Sequence, residues 1–339
     1  MKVLVCEAPG SLRYAEGQMP VAKEGQALIR IHRIGVCGTD LHAFEGVQPY
    51  FKYPRVLGHE LAAEFVEGDG NTFAPGDHVT VLPYLNCNSC IACRNGKPNC
   101  CVNMNVCGVH SDGGMVEYLA IPYDAVVSGQ GLALNELALV EPIAIGTHAL
   151  TRAQLLPGEF VLVIGAGPIG LGIIEVAALR GARVIAMDVN DARLAFCREN
   201  FNVTTVINPL KVDAAAELKR ITGGDMPTLV IDATGNRKAI YDGFNWISHG
   251  GRYVLVGLQK DDITFSHPEF HKREATLVSS RNATKADFNY VIENIRAKRI
   301  NVQKFITHSI TFDKAAQEFP TLLDPARGVV KAVITMTQQ

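Results

Sequence analysis

The chain lacks an excess of charge of either sign. Its 339 residues carry 32 lysines and arginines against 34 aspartates and glutamates, a formal net charge of -2. Nucleic-acid phosphates are bound by concentrated basic surface, so this balance argues against such a partner. The basic pair Lys272-Arg273 is hemmed in by Glu269 and Glu274 and reads as a solvated face. Long apolar runs are missing too. None reaches the roughly 20 residues that span a bilayer, and the stretch around 161–172 is broken by glycines. The opening MKVLVCEAPG is too short, and too polar after Val5, for a secretory leader. It reads as a strand ending in a turn at Pro9-Gly10. Low-complexity tracts and internal repeats are absent as well. What remains is a globular, cytoplasmic protein acting on a small molecule, long enough for two domains.

Cysteine is not scarce, but its placement excludes a disulfide framework. Four of the nine cysteines stand at 87, 90, 93 and 101, spaced C-x₂-C-x₂-C-x₇-C in a loop without helical or strand period. Four thiolates close a tetrahedral cage around Zn²⁺ and leave no open position, so this metal is structural. A nucleic-acid-binding finger would need a recognition helix or a basic face. Cys6, Cys100, Cys107 and Cys197 read as small apolar residues.

Hydrophobic rhythm divides the chain. Residues 27–34 (ALIRIHRI), 78–82 (HVTVL) and 116–121 (VEYLAI) are short strands between turn residues, as in an antiparallel, barrel-like domain. From Phe160 onward FVLVI, RVIAM, TTVI, TLVID, RYVLV and ATLVS are apolar runs mostly separated by helix-like segments. Continuous apolar strands alternating with helices predict a parallel sheet covered on both faces, and six of them complete a doubly wound nucleotide-binding domain. Past Ser279 the pattern turns mixed, with a helix over ADFNYVIENIRAK and strands at 305–312 and 329–336. The tail therefore returns to the first domain. The expected division is 1–147 with 280–339 for one domain and 148–279 for the other.

Between FVLVI and the helical IGLGIIEVAALRGA lies Gly165-Ala166-Gly167-Pro168-Ile169-Gly170. In this setting Gly165 permits the tight turn, Gly167 lets backbone approach a pyrophosphate, and Gly170 lets helix pack on strand. The helix N-terminus offers unpaired N–H groups to the phosphates. Asp188, ending RVIAM, is placed to accept both adenosine ribose hydroxyls and to repel a 2′-phosphate, which favours NAD over NADP. The competing role is a helix cap, since Asn190-Asp191 opens the next helix. Arg193 on that helix flanks adenine or sits in solvent. Thr234, Val256 and Gly257 follow the fourth and fifth strands, at the carboxyl ends where the cofactor crevice lies.

A second metal site has to be assembled from distant residues. Cys37, in GVCGTDLH, and His59-Glu60, in VLGHE, offer thiolate, imidazole and carboxylate, and Glu141 precedes Pro142 before a helix. Such a set suits zinc and leaves a position for substrate. His59 and Glu60 point to opposite faces if extended, so a local bend must bring both to one ion.

These motifs, in this order, resemble those of the zinc-dependent medium-chain alcohol and polyol dehydrogenases over essentially the whole chain. The glutamate among the metal's neighbours is similar to the sorbitol and threonine dehydrogenase branch. Residues 53–60 (YPRVLGHE), Phe270-His271-Lys272 and 280–284 (SRNAT) are similar to bacterial L-galactonate 5-dehydrogenases. The resemblance implies a GroES-like catalytic domain beside a Rossmann domain, two zinc ions per chain, NAD, and a homodimer or homotetramer. It implies Cys37, His59 and Glu60 as catalytic zinc ligands, with Glu141 a fourth ligand or the acceptor of the zinc-bound water. Thr39 and His42 become a proton relay through the cofactor ribose to water.

The expected reaction is oxidation of a secondary alcohol by NAD. The expected substrate is L-galactonate at C5, with threonine or a neutral polyol as alternative and a non-catalytic nucleotide sensor as a third reading. A hexonate carboxylate needs a cationic anchor, and Arg281 after ATLVS is the candidate. Gln48 and Tyr50, in the loop from Glu45 to Lys52, could add donors at the pocket mouth.

Overall fold

The computed structural model describes residues 1–49 and 51–337. It divides into two compact units, Met1–Ala144 with Asn282–Gln339, and Ile145–Arg281.

The first unit is built on a seven-stranded sheet. Along it run Val126–Ser128, His78–Val81, Glu60–Gly68, Gln26–Val36, Lys331–Thr335 and Ile306–Thr311, and Tyr118–Pro122 also pairs with the long strand Gln26–Val36. All pairings are antiparallel except that between Ile306–Thr311 and Lys331–Thr335. The strand Lys331–Thr335 near the C-terminus thus lies against Gln26–Val36. Ile29, Ile31, Ile34, Leu61, Phe65 and Val79 are buried in the core of this unit. The register sets Gly35 opposite Glu60 and Val36 opposite Ala332. One end of three adjacent strands therefore holds Val36, Glu60 and Lys331 together.

The cysteine-bearing segment is less irregular than its sequence suggests. It contains a short helix, Ile91–Arg94, and a 3₁₀ turn, Pro98–Cys100. Neither is long enough to show a hydrophobic period, which is why the sequence reads as loop.

The second unit is a six-stranded, all-parallel sheet. Its order is Thr205–Ile207, Arg183–Met187, Phe160–Ile164, Leu229–Asp232, Arg252–Leu255, Thr276–Ser279. Residues of both parities in the central strands are buried, because helices cover both faces. The order reverses at Phe160–Ile164, which places a ligand crevice at that strand's carboxyl end. Helix Pro168–Leu179 begins there. A Cβ on Gly170 would lie 1.8 Å from the Gly165 carbonyl oxygen, so no other residue lets this helix approach its strand so closely. No helix among the described residues is long and apolar enough to cross a membrane.

Candidate metal centre and cofactor cleft

Cys37 is the N-cap of helix Gly38–Glu45, directly after the long strand. The carboxylate of Asp40 reaches back, accepting the Cys37 N–H at 2.9 Å with one oxygen and the Gly58 N–H at 3.1 Å with the other. Asp40 thereby ties the start of the helix to the segment bearing His59. Gly58 has φ of 93°, a left-handed conformation that turns the chain just before His59. The donor atoms of Cys37, His59 and Glu60 lie within 4.8 Å of one another.

Glu60 is fully buried, and both its oxygens face the ammonium of Lys331, at 2.6 and 2.8 Å. Lys331, itself buried, also donates to the Val36 carbonyl at 3.1 Å. Space for the carboxylate comes from Gly35, where a Cβ would sit 2.0 Å from a Glu60 oxygen. Burial pulls the Lys331 pKa down, but the neighbouring charges of Glu60 and Cys37 prevail and hold it above the usual lysine range. Lys331 therefore stays charged.

Glu141 lies outside this donor group. It sits in the first turn of helix Val140–Arg152, buried, and one of its oxygens accepts the phenol of buried Tyr84. Burial pushes its carboxyl up to about 7 against the pull of His59. Burial and the charge of Glu141 raise the Tyr84 phenol far above its ordinary range, so it remains a donor.

A zinc ion fits these residues. His59 Nδ1 is buried without a hydrogen-bond partner, 3.6 Å from Asp40 Oδ1, and the Cys37 thiol and Glu60 carboxylate offer their donor atoms within 4.8 Å of the His59 ring. A divalent cation supplies a partner for such soft and borderline donors. On helix Gly38–Glu45, Thr39 is half-buried and His42 is exposed, one turn apart on the same face.

The four cage sulfurs also lie within 4.8 Å of one another. Cys90 and Cys93 are 3.4 Å apart, Cys87 and Cys101 3.5 Å, and Cys90 and Cys101 3.9 Å. A tetrahedron with Zn–S bonds of about 2.3 Å has sulfurs roughly 3.8 Å apart, so the cage has the right size. Hydrogen bonds from the Ser89 backbone and hydroxyl, and from the Cys90 backbone, lower the Cys87 thiol to about 5, whereas burial and the neighbouring Cys90 and Cys101 thiols raise that of Cys93 to about 11.

In the second unit a cleft of about 770 Å³ opens at the sheet's reversal point, lined among others by Gly165, Gly167, Asp188, Arg193 and Thr234. The Asp188 oxygens accept the Ala166 and Asn190 N–H groups, each at 2.8 Å, which fixes the carboxylate at the cleft. The helix cap here is Asn190, whose side chain accepts from Ala192 and Arg193, so Asp188 is not needed for that task. Arg193 lies 3.9 Å from Asp188 with its side chain about half exposed. Pro168, Ile169 and Gly170 form the first helical turn behind this lining. Val256 and Gly257 do not line the cleft. They are tied by their N–H groups to the Asp232 carbonyl at 3.0 and 3.1 Å.

The remaining substrate candidates are less defined. Arg281 is exposed, past the edge strand Thr276–Ser279, and has interactions of its own. Gln48 is half-buried, its N–H bonded to the His42 carbonyl at 3.2 Å. Tyr50 lies outside the described residues. Sequence reasoning missed Asp40, Lys331 and Tyr84. Lys331 carried a signal, a lone charge inside the apolar run VVKAVI, and Asp40 stands at the capping position three residues after Cys37. Tyr84 carried none.

Comparison with known proteins completes the assignment of class. The family model for the alcohol dehydrogenase GroES-like domain matches residues 23–130, and that for zinc-binding dehydrogenases matches residues 168–297. The chain belongs to the zinc-dependent medium-chain alcohol and polyol dehydrogenases, as oxidoreductases that act on a CH–OH group of a small molecule with zinc and NAD. Among its relatives is the L-galactonate-5-dehydrogenase of Escherichia coli (strain K12), 42% identical over 338 residues and covering 99% of each chain. The D-xylulose reductase A of Aspergillus oryzae is 30% identical, over 93% of this chain and 91% of its own. A crystal structure of an alcohol dehydrogenase from Escherichia coli CFT073 complexed with NADH superposes with a TM-score of 0.90, at 30% identity and 99% coverage of both chains. Membership in this enzyme family sets aside the non-catalytic sensor reading.

Proposed function

We propose that this enzyme oxidises a sugar acid at a secondary hydroxyl, L-galactonate at C5, passing hydride to NAD⁺. The observation that supports this is full-length similarity to the Escherichia coli dehydrogenase named for that substrate. In this reading Cys37, His59 and Glu60 hold the catalytic zinc, Glu141 serves it as a further ligand or through its water, and Cys87, Cys90, Cys93 and Cys101 hold a structural one. When bound, the zinc draws electron density from the substrate hydroxyl and NAD⁺ accepts the hydride.

The protein's own groups do the rest. Asp40 fixes the Cys37 backbone and faces His59, orienting two donors at once. Lys331 donates to both Glu60 oxygens and balances the charge of that carboxylate in a buried site. Thr39 and His42 would serve as relay groups, Thr39 accepting the substrate's hydroxyl proton as it gives up its own and His42, exposed one turn later, releasing a proton to solvent. Asp188 receives the ribose hydroxyls and selects NAD, with Gly165, Gly167 and Thr234 against the cofactor. Arg281 anchors the substrate carboxylate, and the assembly is a cytoplasmic homodimer or homotetramer, a mass that light scattering would report.

The test is NAD⁺ reduction across L-galactonate, other hexonates, neutral polyols and L-threonine. The expected result is highest kcat/KM on L-galactonate, with a 5-keto acid identified by NMR. Turnover confined to a neutral polyol or threonine would refute the sugar-acid reading.

A further inference from the structure

Tyr84 belongs to a piece of structure whose other end is the cysteine cage. Among the described residues strand Tyr84–Leu85 pairs only with Asn105–Val106, Tyr84 opposite Val106 and Leu85 opposite Asn105. The segment between these strands, 86–104, carries all four cage cysteines. At the neck of this segment the Cys107 N–H donates to the Pro83 carbonyl at 2.9 Å, and the Cys87 N–H points at Cys101 Sγ at 3.3 Å. A ribbon of two residues per strand is marginal on its own. Cys87 and Cys101, at the two sides of the segment, lie against each other at 3.5 Å between sulfurs and so tie its ends together.

Tyr84 is only 5% exposed, and its phenol is the one hydrogen-bond donor to the Glu141 side chain among the described residues. That bond occupies one carboxylate oxygen of Glu141, a residue whose charge interacts with His59 and Glu60. We propose that Tyr84 is a positioning residue through which the four-cysteine loop sets the orientation of Glu141 at the catalytic metal. The inference rests on the reading above that Glu141 serves that metal. When the cage is closed, the ribbon holds the Tyr84 backbone and its phenol pins Glu141. When the cage loosens, the phenol moves off and a buried carboxylate loses its donor. Outer partners of this kind fix metal ligands as firmly as the ligands fix the metal.

The experiment uses full-length enzyme with cobalt(II) at the Cys37–His59 site and zinc kept in the cage, so that visible absorption reports the catalytic ligand field. Tyr84→Phe keeps the ring and removes the phenol. It is expected to shift the cobalt absorption and to lower kcat about ten-fold, with cage zinc retained and KM for NAD⁺ within about two-fold. Cys90→Ser, which loosens the cage, should shift the absorption the same way, and combining it with Tyr84→Phe should cost less than about two-fold more, because both break one linkage. If Cys90→Ser does not fold, Leu85→Gly loosens the ribbon without touching a cysteine and carries the same expectation. Losses that multiply would overturn the linkage. So would an absorption that moves in Glu141→Gln but not in Tyr84→Phe. An absorption unmoved by Glu141→Gln removes Glu141 from the metal, and this proposal with it.

Discussion

Replacing Lys331 by methionine tests the electrostatics of the catalytic site. The side chain keeps its length and loses its charge. In the native protein its ammonium contacts both oxygens of Glu60, at 2.6 and 2.8 Å, and the Val36 carbonyl at 3.1 Å. Removing one member of a buried ion pair leaves an uncompensated charge and costs about 3–5 kcal/mol. About 1 kcal/mol of that belongs to the Val36 hydrogen bond, which no neutral side chain at 331 restores. Lys331→Met combined with Glu60→Gln removes the stranded charge as well. The double variant should therefore recover about 2–4 kcal/mol and stay about 1 kcal/mol below wild type.

Urea unfolding followed by circular dichroism reads this out. The sole tryptophan, Trp246, sits in the other unit, so its fluorescence would not follow the affected one. With a slope of about 2.5 kcal/mol per molar, the single variant should lose about 1–2 M in midpoint. The loss should be largest in zinc-stripped protein, because a bound divalent ion would itself balance Glu60. A double variant no more stable than Lys331→Met would show that the lysine acts by packing alone. Equal losses with and without zinc would show that Glu60 is not near the metal.

Three further outcomes follow from the same geometry. Elemental analysis should give two zinc ions per chain; Cys90→Ser should lower thermal stability by several degrees, whereas Cys37→Ser should fold normally and be inactive, and variants that differ in neither respect would merge the two sites. Asp188→Ser removes the carboxylate fixed by Ala166 and Asn190, so the ratio of kcat/KM for NAD⁺ over NADP⁺ should fall about ten-fold or more, and a wild-type preference for NADP⁺ would refute its role. Arg281→Ala should cost about ten- to a hundred-fold in kcat/KM on a hexonate, the loss of one charge-assisted contact, and little on a neutral polyol; equal losses would make Arg281 structural.

The two sites differ in how far the sequence reveals them, and the reason is chain separation. The cysteine cage and the glycine turn are local. Four thiols within 87–101, and three glycines between one strand and one helix, state their chemistry before any tertiary contact forms. The six parallel strands are legible because burial on both faces leaves continuous apolar runs. The catalytic centre has no such local record. Lys331 meets Glu60 across 271 positions, and Tyr84 meets Glu141 across 57, so only the pairing of strands and the packing of a helix place them together. The left-handed turn at Gly58, just before His59 and tied to Asp40, leaves no mark in the sequence beyond a glycine. The partners that leave little trace in the sequence are those that hold the candidate metal residues in place: Asp40 near His59, Lys331 on Glu60, Tyr84 on Glu141. A metal site read from ligand types alone is therefore only half specified. The other half lies in buried donors and charges that topology brings together, and these are the residues on which the predictions for Lys331 and Tyr84 depend.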